Sequence, residues 1–222
     1  MADTAIESID YLVLNGFQQR FQQVFGAVKC AFINANDKTK ILQRLFGDTP
    51  LEYPYATFEI RRVEENAESY NPHNFLRRGL VLDVASDTEV RTVRVLPTNF
   101  EIEIEYTTNK FQSVEQGSVL AFCRRWLLAR RLGYLKTSIN YGRHQFGILV
   151  TMDPGIDTPS RENVVENETS YKISCRAVIH GYTSEPVLGQ KGKVTQFNVN
   201  GQVGQVNGQI ISTQFFAFPQ KS

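Results

Sequence analysis

The sequence predicts an α+β fold in which helices pack on one face of a mainly antiparallel sheet. Three observations lead to this prediction. Apolar residues near the N-terminus recur every three or four positions, as on one side of a helix. Later runs alternate apolar and polar residues with a period of two, as in half-buried strands. No glycine-rich fingerprint of a dinucleotide or phosphate site accompanies the strands.

The N-terminal third predicts a helix followed by a strand. Apolar side chains from Ile6 to Val28 recur at helical spacing, so the first forty or so residues are predicted to be helical, with Gly16 and Gly26 as points where the helix could break. A run rich in Tyr, Thr, Phe and Ile predicts a strand from Tyr55 to Val63. The mostly polar segment from Glu64 to Glu89 predicts a long excursion between strands.

The central segment predicts a hairpin and then a second helix. Two alternating runs joined at Leu96 to Asn99 predict the hairpin, because Pro97 fixes φ at a turn position. A helix is predicted from Ser113 to Leu132, with Ser113 and Gln116 as a capping box and Gly133 after its C-terminus. One broad face of this helix is predicted to pack on the sheet: Val119, Leu120, Phe122, Cys123, Trp126 and Leu127.

The C-terminal half predicts three more strands and an arm. The strands are predicted at Leu135 to Tyr141, Phe146 to Asp153 and Tyr171 to Tyr182, with an acidic loop before the last. The tail is rich in Gln, Asn and Gly, and its Asn-Gly pairs are hairpin signals, but such a ribbon has too little core to be stable alone. We therefore expect an α+β domain over residues 1–188 and a β-rich arm over residues 189–222 that becomes ordered on a neighbouring subunit.

Composition limits the classes of function. The 222 residues carry 24 Lys and Arg against 23 Asp and Glu, so the formal net charge is +1 and nothing global directs the chain to nucleic acid. The three cysteines are far apart in apolar runs, which is typical of reduced core thiols in a cytoplasm. No charged-then-apolar leader opens the chain and no apolar run is long enough to cross a bilayer. We expect a soluble protein with no membrane partner.

The sequence presents one unusual row of carboxylates. Glu101, Glu103 and Glu105 alternate with apolar residues, so they share one side of a strand. Side chains at these spacings stand too far apart to wrap a cation alone. Two interpretations stay open. One is a solvated sheet face. The other is a contact face neutralised by arginines of this chain or of a neighbour, either Arg91 and Arg94 on the predicted hairpin partner or the outward arginines of the second helix.

The arginines of the second helix lie opposite its predicted apolar face. They have the same two interpretations, a solvated helix face or a contact surface. The histidines and cysteines lack the spacing of a metal site, and no serine lies in a nucleophile elbow. We therefore expect no enzyme, no cofactor, and no catalytic or metal-binding residue. The predicted interface residues are Glu101, Glu103, Glu105, Arg124, Arg125, Arg131, Phe215, Phe216 and Phe218.

A set of segments in a fixed order carries a resemblance to a known family. They are "YPYATFEI" with the following "SYNPHNFLRRG", then "VRVLPTNFEIEIEYTTNKFQSVEQ", the long helix, "GILVTMD", the Asp/Ser/Arg loop and "SYKISCRAVIHGYTSEP". In this order the chain, up to about Pro186, resembles the tail terminator proteins of contractile-tailed bacteriophages, also called tail sheath stabilisers. The tail from Gly189 does not match the family pattern.

The resemblance implies a structural role in a virion. Proteins of this family form a hexameric ring that ends polymerisation of the tail tube and tail sheath and offers a docking face to neck or head-completion proteins. It implies assembly in the host cytoplasm, a final place at the junction of tail and neck, and contact with DNA at most as it passes through the ring lumen.

Two other classes of protein are also compatible with the sequence. One is another neck or head-completion adaptor ring of the same virion, which its axial position in the particle would distinguish. The other is an enzyme or a nucleic-acid-binding protein, which the sequence disfavours because no catalytic site converges and no basic or aromatic RNA-binding motif is present. A salt-dependent affinity for DNA would favour that second class.

Overall fold

The computed structural model describes residues 8–26, 28–33, 52–66, 80–85, 90–111, 117–165 and 168–187. In this part of the chain two helices pack against one large, curled, mostly antiparallel sheet, which confirms the predicted α+β fold. The helices are α1 (Ile9–Phe25) and α2 (Val119–Leu132). The strands are β1 (Lys29–Ile33), β2 (Tyr55–Glu65), β3 (Leu80–Ala85), β4 (Val90–Thr108), β5 (Thr137–Tyr141), β6 (His144–Ile156), β7 (Ser160–Val165) and β8 (Glu168–Pro186).

Two long strands form the centre of the sheet. The strand order is β1-β2-β4-β8-β6-β5, with β3 also paired to β4 and β7 also paired to β8. Strands β4 and β8 have 19 residues each and pair antiparallel from Val93 opposite Pro186 to Thr108 opposite Tyr171. Among the described strand pairs only β1 and β2 run parallel. The cross-strand neighbours of side chains on β4 are therefore residues distant in sequence.

The core lies between the helices and one face of the sheet. Phe17 and Phe21 of α1 pack edge-on against Phe58 of β2, with ring centroids 5.3 and 5.0 Å apart. Phe122 of α2 stacks on Tyr106 of β4 at 4.2 Å. Aromatic pairs in these geometries add to the free energy gained from burying their apolar area. The opposite face of β4, which carries the glutamates, is free of both helices.

The first helix is shorter than predicted. It ends at Phe25, followed by Gly26 with φ of 87°, a left-handed conformation that glycine adopts at little cost. The segment that was also expected to be helical instead forms β1, parallel to β2. A short apolar run such as Cys30 to Ile33 fits either a helix or a strand, and its tertiary pairing decides between them.

The predicted hairpin turn at Leu96 to Asn99 is wrong, because β4 runs straight through it. Pro97 lacks an N–H, yet its carbonyl accepts a hydrogen bond from the Asn66 N–H at 3.0 Å, on the side away from β8. On that side β2 ends opposite Thr98 and β3 begins opposite Val95, so no ladder bond needs a donor from Pro97. The hairpin is instead formed by β3 and β4.

The second helix starts later than predicted. Its N-cap is Ser118, whose Oγ accepts a hydrogen bond from the Ala121 N–H at 3.2 Å. Ser113 and Gln116, the predicted capping box, lie outside the described residues, and the helix begins after them. Its end is as predicted, because Gly133 adopts the left-handed conformation with φ of 63°.

The remaining predicted strands are confirmed with different bounds, and two strands besides β1 were not predicted. Strand β2 extends two residues beyond the predicted Val63, and β5, β6 and β8 cover the three predicted C-terminal strands. Strand β3, with the mostly apolar sequence LVLDVA, lies in the segment that was predicted as a polar excursion, so its short apolar run was missed. Strand β7 lies in the predicted acidic loop, because its polar residues give little strand signal until β8 pairs with them. The predicted arm, residues 189–222, with Phe215, Phe216 and Phe218, lies outside the described residues.

Candidate assembly surfaces

In the described residues, the side chains that could bind a metal are far apart, and the cysteine thiols that could act as nucleophiles are kept protonated by burial. No three His, Cys, Asp or Glu of the described ranges lie close enough to hold a metal ion. Burial raises the pKa of the Cys30 thiol to about 12 and that of Cys175 well above its ordinary value, and burial also raises the pKa of Cys123. A thiol with a raised pKa is a poor nucleophile. No helix in the described segments has the length and apolar character to span a bilayer.

The outward side of α2 is an exposed surface of leucine and arginine. Phe122 and Trp126 are buried at 2% and 0% exposure, as predicted, and α2 turns them toward the sheet. Leu120 and Leu127, which were predicted to be buried with them, are instead 41% and 51% exposed. The predicted face was too broad, since the buried stripe is centred on Phe122, Trp126 and Ala129. We call the outward surface the leucine–arginine face; it comprises Leu120, Arg124, Leu127, Leu128 and Arg131.

The orientation of α2 is fixed by hydrogen bonds to β6. The Trp126 Nε1–H donates to the Asp153 carbonyl at 3.0 Å, and Arg130 Nε donates to the Met152 carbonyl at 3.1 Å. Both acceptors lie where the register between β6 and β8 shifts, so the helix satisfies carbonyls at an irregular part of the ladder. These bonds hold the leucine–arginine face away from the sheet.

The leucine–arginine face carries positive charge without compensation from the described part of the chain. The helix contains four arginines and no acidic residue. None of the ion pairs between described residues involves Arg124, Arg125 or Arg131. Leu128, at 49% exposure, was not singled out from the sequence, although its position four residues after Arg124 places it on the same side of the helix. The surface is thus apolar and cationic together.

The glutamate row on β4 is largely neutralised within the chain. Arg61 of β2 lies 2.7 Å from Glu103 and 2.6 Å from Glu59, and Lys172 of β8 lies 2.7 Å from Glu105. The Glu103 carboxylate raises the pKa of Arg61 by accepting its hydrogen bond. Glu101 makes no ion pair with the residues that the structure describes. Exposed pairs of this kind contribute little to stability, because water screens them.

Within the described part of the chain, the arginines named from the sequence do not pair with these glutamates. Arg91 and Arg94 lie on β4 itself, because the predicted hairpin partner does not exist, and Arg94 pairs with Glu185 of β8 at 2.9 Å. Arg124 and Arg125 lie on the helix side of the sheet, opposite the glutamate row. The true partners were missed because the register of β2 and β8 against β4 has no local signal.

A cleft opens on the helix-free face where β6 and β8 separate. Their ladder stops at Leu149 opposite His180, and the residues of β6 before Leu149 pair with β5 alone among the described strands. The cleft measures about 670 Å³ and is bounded by Leu80, Leu149 and the edge-on ring pair of Phe146 and Tyr182, whose centroids are 4.9 Å apart. We call it the fork cleft. No sequence pattern marks it, since it depends on where two distant strands part.

The floor of the fork cleft is polar and ordered. His180 shares hydrogen bonds of 2.8 Å through Nδ1 with Asn99 Oδ1 and through Nε2 with Thr151 Oγ1. Both ring nitrogens therefore have partners within the chain, which makes His180 a structural element of the floor. Toward the C-terminus, the edge of β8 on this side, from Gly181 to Glu185, has no ladder partner among the described segments.

Comparison with known proteins finds a match among solved structures. No protein-family model matches the sequence, and no curated protein does. Among solved structures, the chain is similar to the sheath/tube terminator of PVC, an extracellular contractile injection system, in its extended state, with 10% sequence identity and a TM-score of 0.33. The match covers 84% of this chain and 64% of that one, so the chain spans less than two thirds of the length of the protein it matches. The similarity is thus a distant one, to a terminator of a contractile injection system.

Proposed function

We propose that this protein is a virion structural subunit that forms a ring, hexameric by the family resemblance, which terminates the tail tube and sheath of a contractile tail and connects them to the neck. The observation that carries the proposal is the leucine–arginine face. The kind of assembly is inferred from the sequence segments up to Pro186, which occur in the same order as in tail terminators. In this proposal the protein is not an enzyme and acts through contacts alone.

The leucine–arginine face has the properties of a contact surface. Leu120, Leu127 and Leu128 are 41 to 51% exposed on one side of a rigid helix. Contiguous exposed apolar side chains are costly to hydrate and mark interaction sites, at roughly 25 cal/mol per Å² removed from water. Arg124 and Arg131 flank them, so a matching surface would be apolar at its centre and acidic at its rim. A second α2 would bring arginine against arginine, which disfavours a symmetric pairing of this face with itself.

The proposal is tested by substituting one leucine of this face. Leu127→Glu should leave the melting temperature close to that of the parent, because the side chain is half exposed, and should abolish rings and terminated tails in electron micrographs of assembly mixtures. The matched control is Tyr11→Glu on α1, a helical position with 54% exposure, which should assemble as the parent does. Normal rings with Leu127→Glu would contradict the assignment of this face.

A second candidate is another neck or head-completion adaptor ring of the same particle. The same apolar and cationic face would serve that role. Labelled protein imaged on intact particles separates the two, because a terminator lies directly on the last tube and sheath rings and an adaptor lies nearer the head.

A further inference from the structure

We propose that the open edge of β8 is completed by residues 194–199 of the same chain, which pair antiparallel with residues 181–185 as a further strand and fill part of the fork cleft. The chain reaches this position by a hairpin over residues 188–193. The proposal goes beyond the proposed function and does not depend on it, since the edge and the segment belong to one subunit.

The open edge of β8 has backbone groups whose direction is known. The Val187 N–H donates to the Thr92 carbonyl of β4 at 3.2 Å, and hydrogen-bonded positions alternate along an antiparallel ladder. Every second residue back from Val187 therefore directs its N–H and C=O groups to β4, whereas Tyr182 and Ser184 direct theirs to the other side. Among the described strands none pairs with β8 there, since the ladder with β6 ends at His180. An added extended segment would satisfy these groups.

The chain that follows β8 starts within reach of this edge. Strand β8 ends at Pro186, and Val187 is still held beside β4, so the following residues leave from the end of the open edge. Residues 188–193 are enough for a hairpin loop and include Gly189 and Gly192, which allow the positive φ of tight turns. Closing so short a loop costs little entropy, which favours the chain's own segment over that of another molecule.

The segment matches the edge in length and in pattern. Its sequence, VTQFNV, is rich in strand formers and places Phe197 and the residues two positions away on one side of a strand. The added strand ends after residues 194–199, because β6 already occupies the position opposite His180. Tyr182 lines the fork cleft, and residues opposite each other in a ladder share a face. Phe197 paired opposite Tyr182 therefore lies in the cleft.

This placement changes the starting point of the expected arm. Because the added strand runs antiparallel to β8, the rest of the tail, residues 200–222, leaves the subunit where β6 and β8 part. A neighbouring subunit would then be reached from the fork of the sheet and not from the end of β8.

Amide hydrogen exchange in the full-length protein tests the added strand. The outward amides are those of Tyr182 and Ser184, and the inward amides of Thr183 and Glu185, which face β4, are the internal reference. We expect the protection factors of the two sets to agree within about tenfold, because both are hydrogen-bonded in a ladder. Outward amides that exchange freely in the parent, beside protected inward amides, would overturn the proposal.

A proline substitution assigns that protection to the segment. Thr195→Pro removes a backbone donor and interrupts the strand, so the outward amides should exchange about tenfold faster or more while the inward amides keep their rates. The matched control is Thr213→Pro, the same change in the tail beyond the segment, which should behave as the parent does. Outward amides that stay protected in Thr195→Pro would show that another segment covers the edge.

A mixing experiment separates the chain's own segment from that of a second copy. Isotope-labelled Thr195→Pro protein has the open edge without a competent segment, and unlabelled parent in large excess offers one from another molecule. The outward amides of the labelled protein should remain unprotected in the mixture, and restored protection would overturn the proposal in favour of a second copy. None of these measurements involves tail termination, so they stand or fall separately from the proposed function.

Discussion

At the scale of single residues, Gly181 shows how closely α1 approaches the central strands. A Cβ built at Gly181 would lie 2.5 Å from Cγ1 of Val13, which is fully buried, and 3.5 Å from the Phe100 ring. Gly181→Ala should therefore lower the free energy of unfolding by about 1–3 kcal/mol, as overpacked core substitutions do. Urea titrations measure this loss. Gly147→Ala, with no atom within 4 Å of the new methyl group, is the control, and equal midpoints for the two variants would disprove the close packing.

At the scale of elements, α2 is expected to stabilise the subunit through Trp126. Its side chain is fully buried, packs against Phe122 at 6.0 Å and donates a hydrogen bond to β6. Trp126→Ala should cost about 3–5 kcal/mol of unfolding free energy, since it opens a large cavity. Trp126→Phe keeps part of the packing but removes the donor to the Asp153 carbonyl, so it should cost less, about 1–3 kcal/mol. Chemical unfolding followed by circular dichroism measures both, and an unchanged midpoint for Trp126→Ala would make it a contact residue.

Elements also show what could be predicted from the sequence. The alternation around Glu103 and the helical period around Trp126 predicted β4 and α2, because both patterns arise from burial on one side of an element. The turn at Pro97 was wrong because a proline is tolerated where neither flanking strand needs its N–H, and this depends on strands far along the chain. The exposed Leu127 and the fork cleft likewise depend on tertiary packing, which local patterns do not encode.

At the scale of the whole molecule, the raised pKa values predict a loss of stability in alkali. Burial raises the pKa of Cys30 from 9.0 to about 12 and raises the pKa of Cys175, Tyr55 and Tyr106. Above pH 9 the unfolded chain loses these protons while the folded chain keeps them, so unfolding becomes more favourable as the pH rises. We expect the unfolding free energy to fall by on the order of a few kcal/mol between pH 9 and 12.

Urea midpoints measured across that range test the prediction, with the values below pH 8 as the reference. Cys30→Ala should show a shallower decline between pH 9 and 12 than the parent, since one of the shifted groups is removed. A decline equally steep in this variant would mean that Cys30 is not among the groups responsible.

The central ladder has a consequence for the time course of folding. Strands β4 and β8 pair over a length of about 50 Å, at about 3.4 Å per residue, and α2 and strands β5, β6 and β7 lie between them in the chain. Closing so large a loop costs entropy before any of the pairing is gained, and chains dominated by such distant contacts fold in milliseconds to seconds. During synthesis, the edge of β4 that pairs with β8 stays open until Pro186 has left the ribosome. A newly made subunit is therefore most exposed to aggregation in the interval before its last described strand is complete.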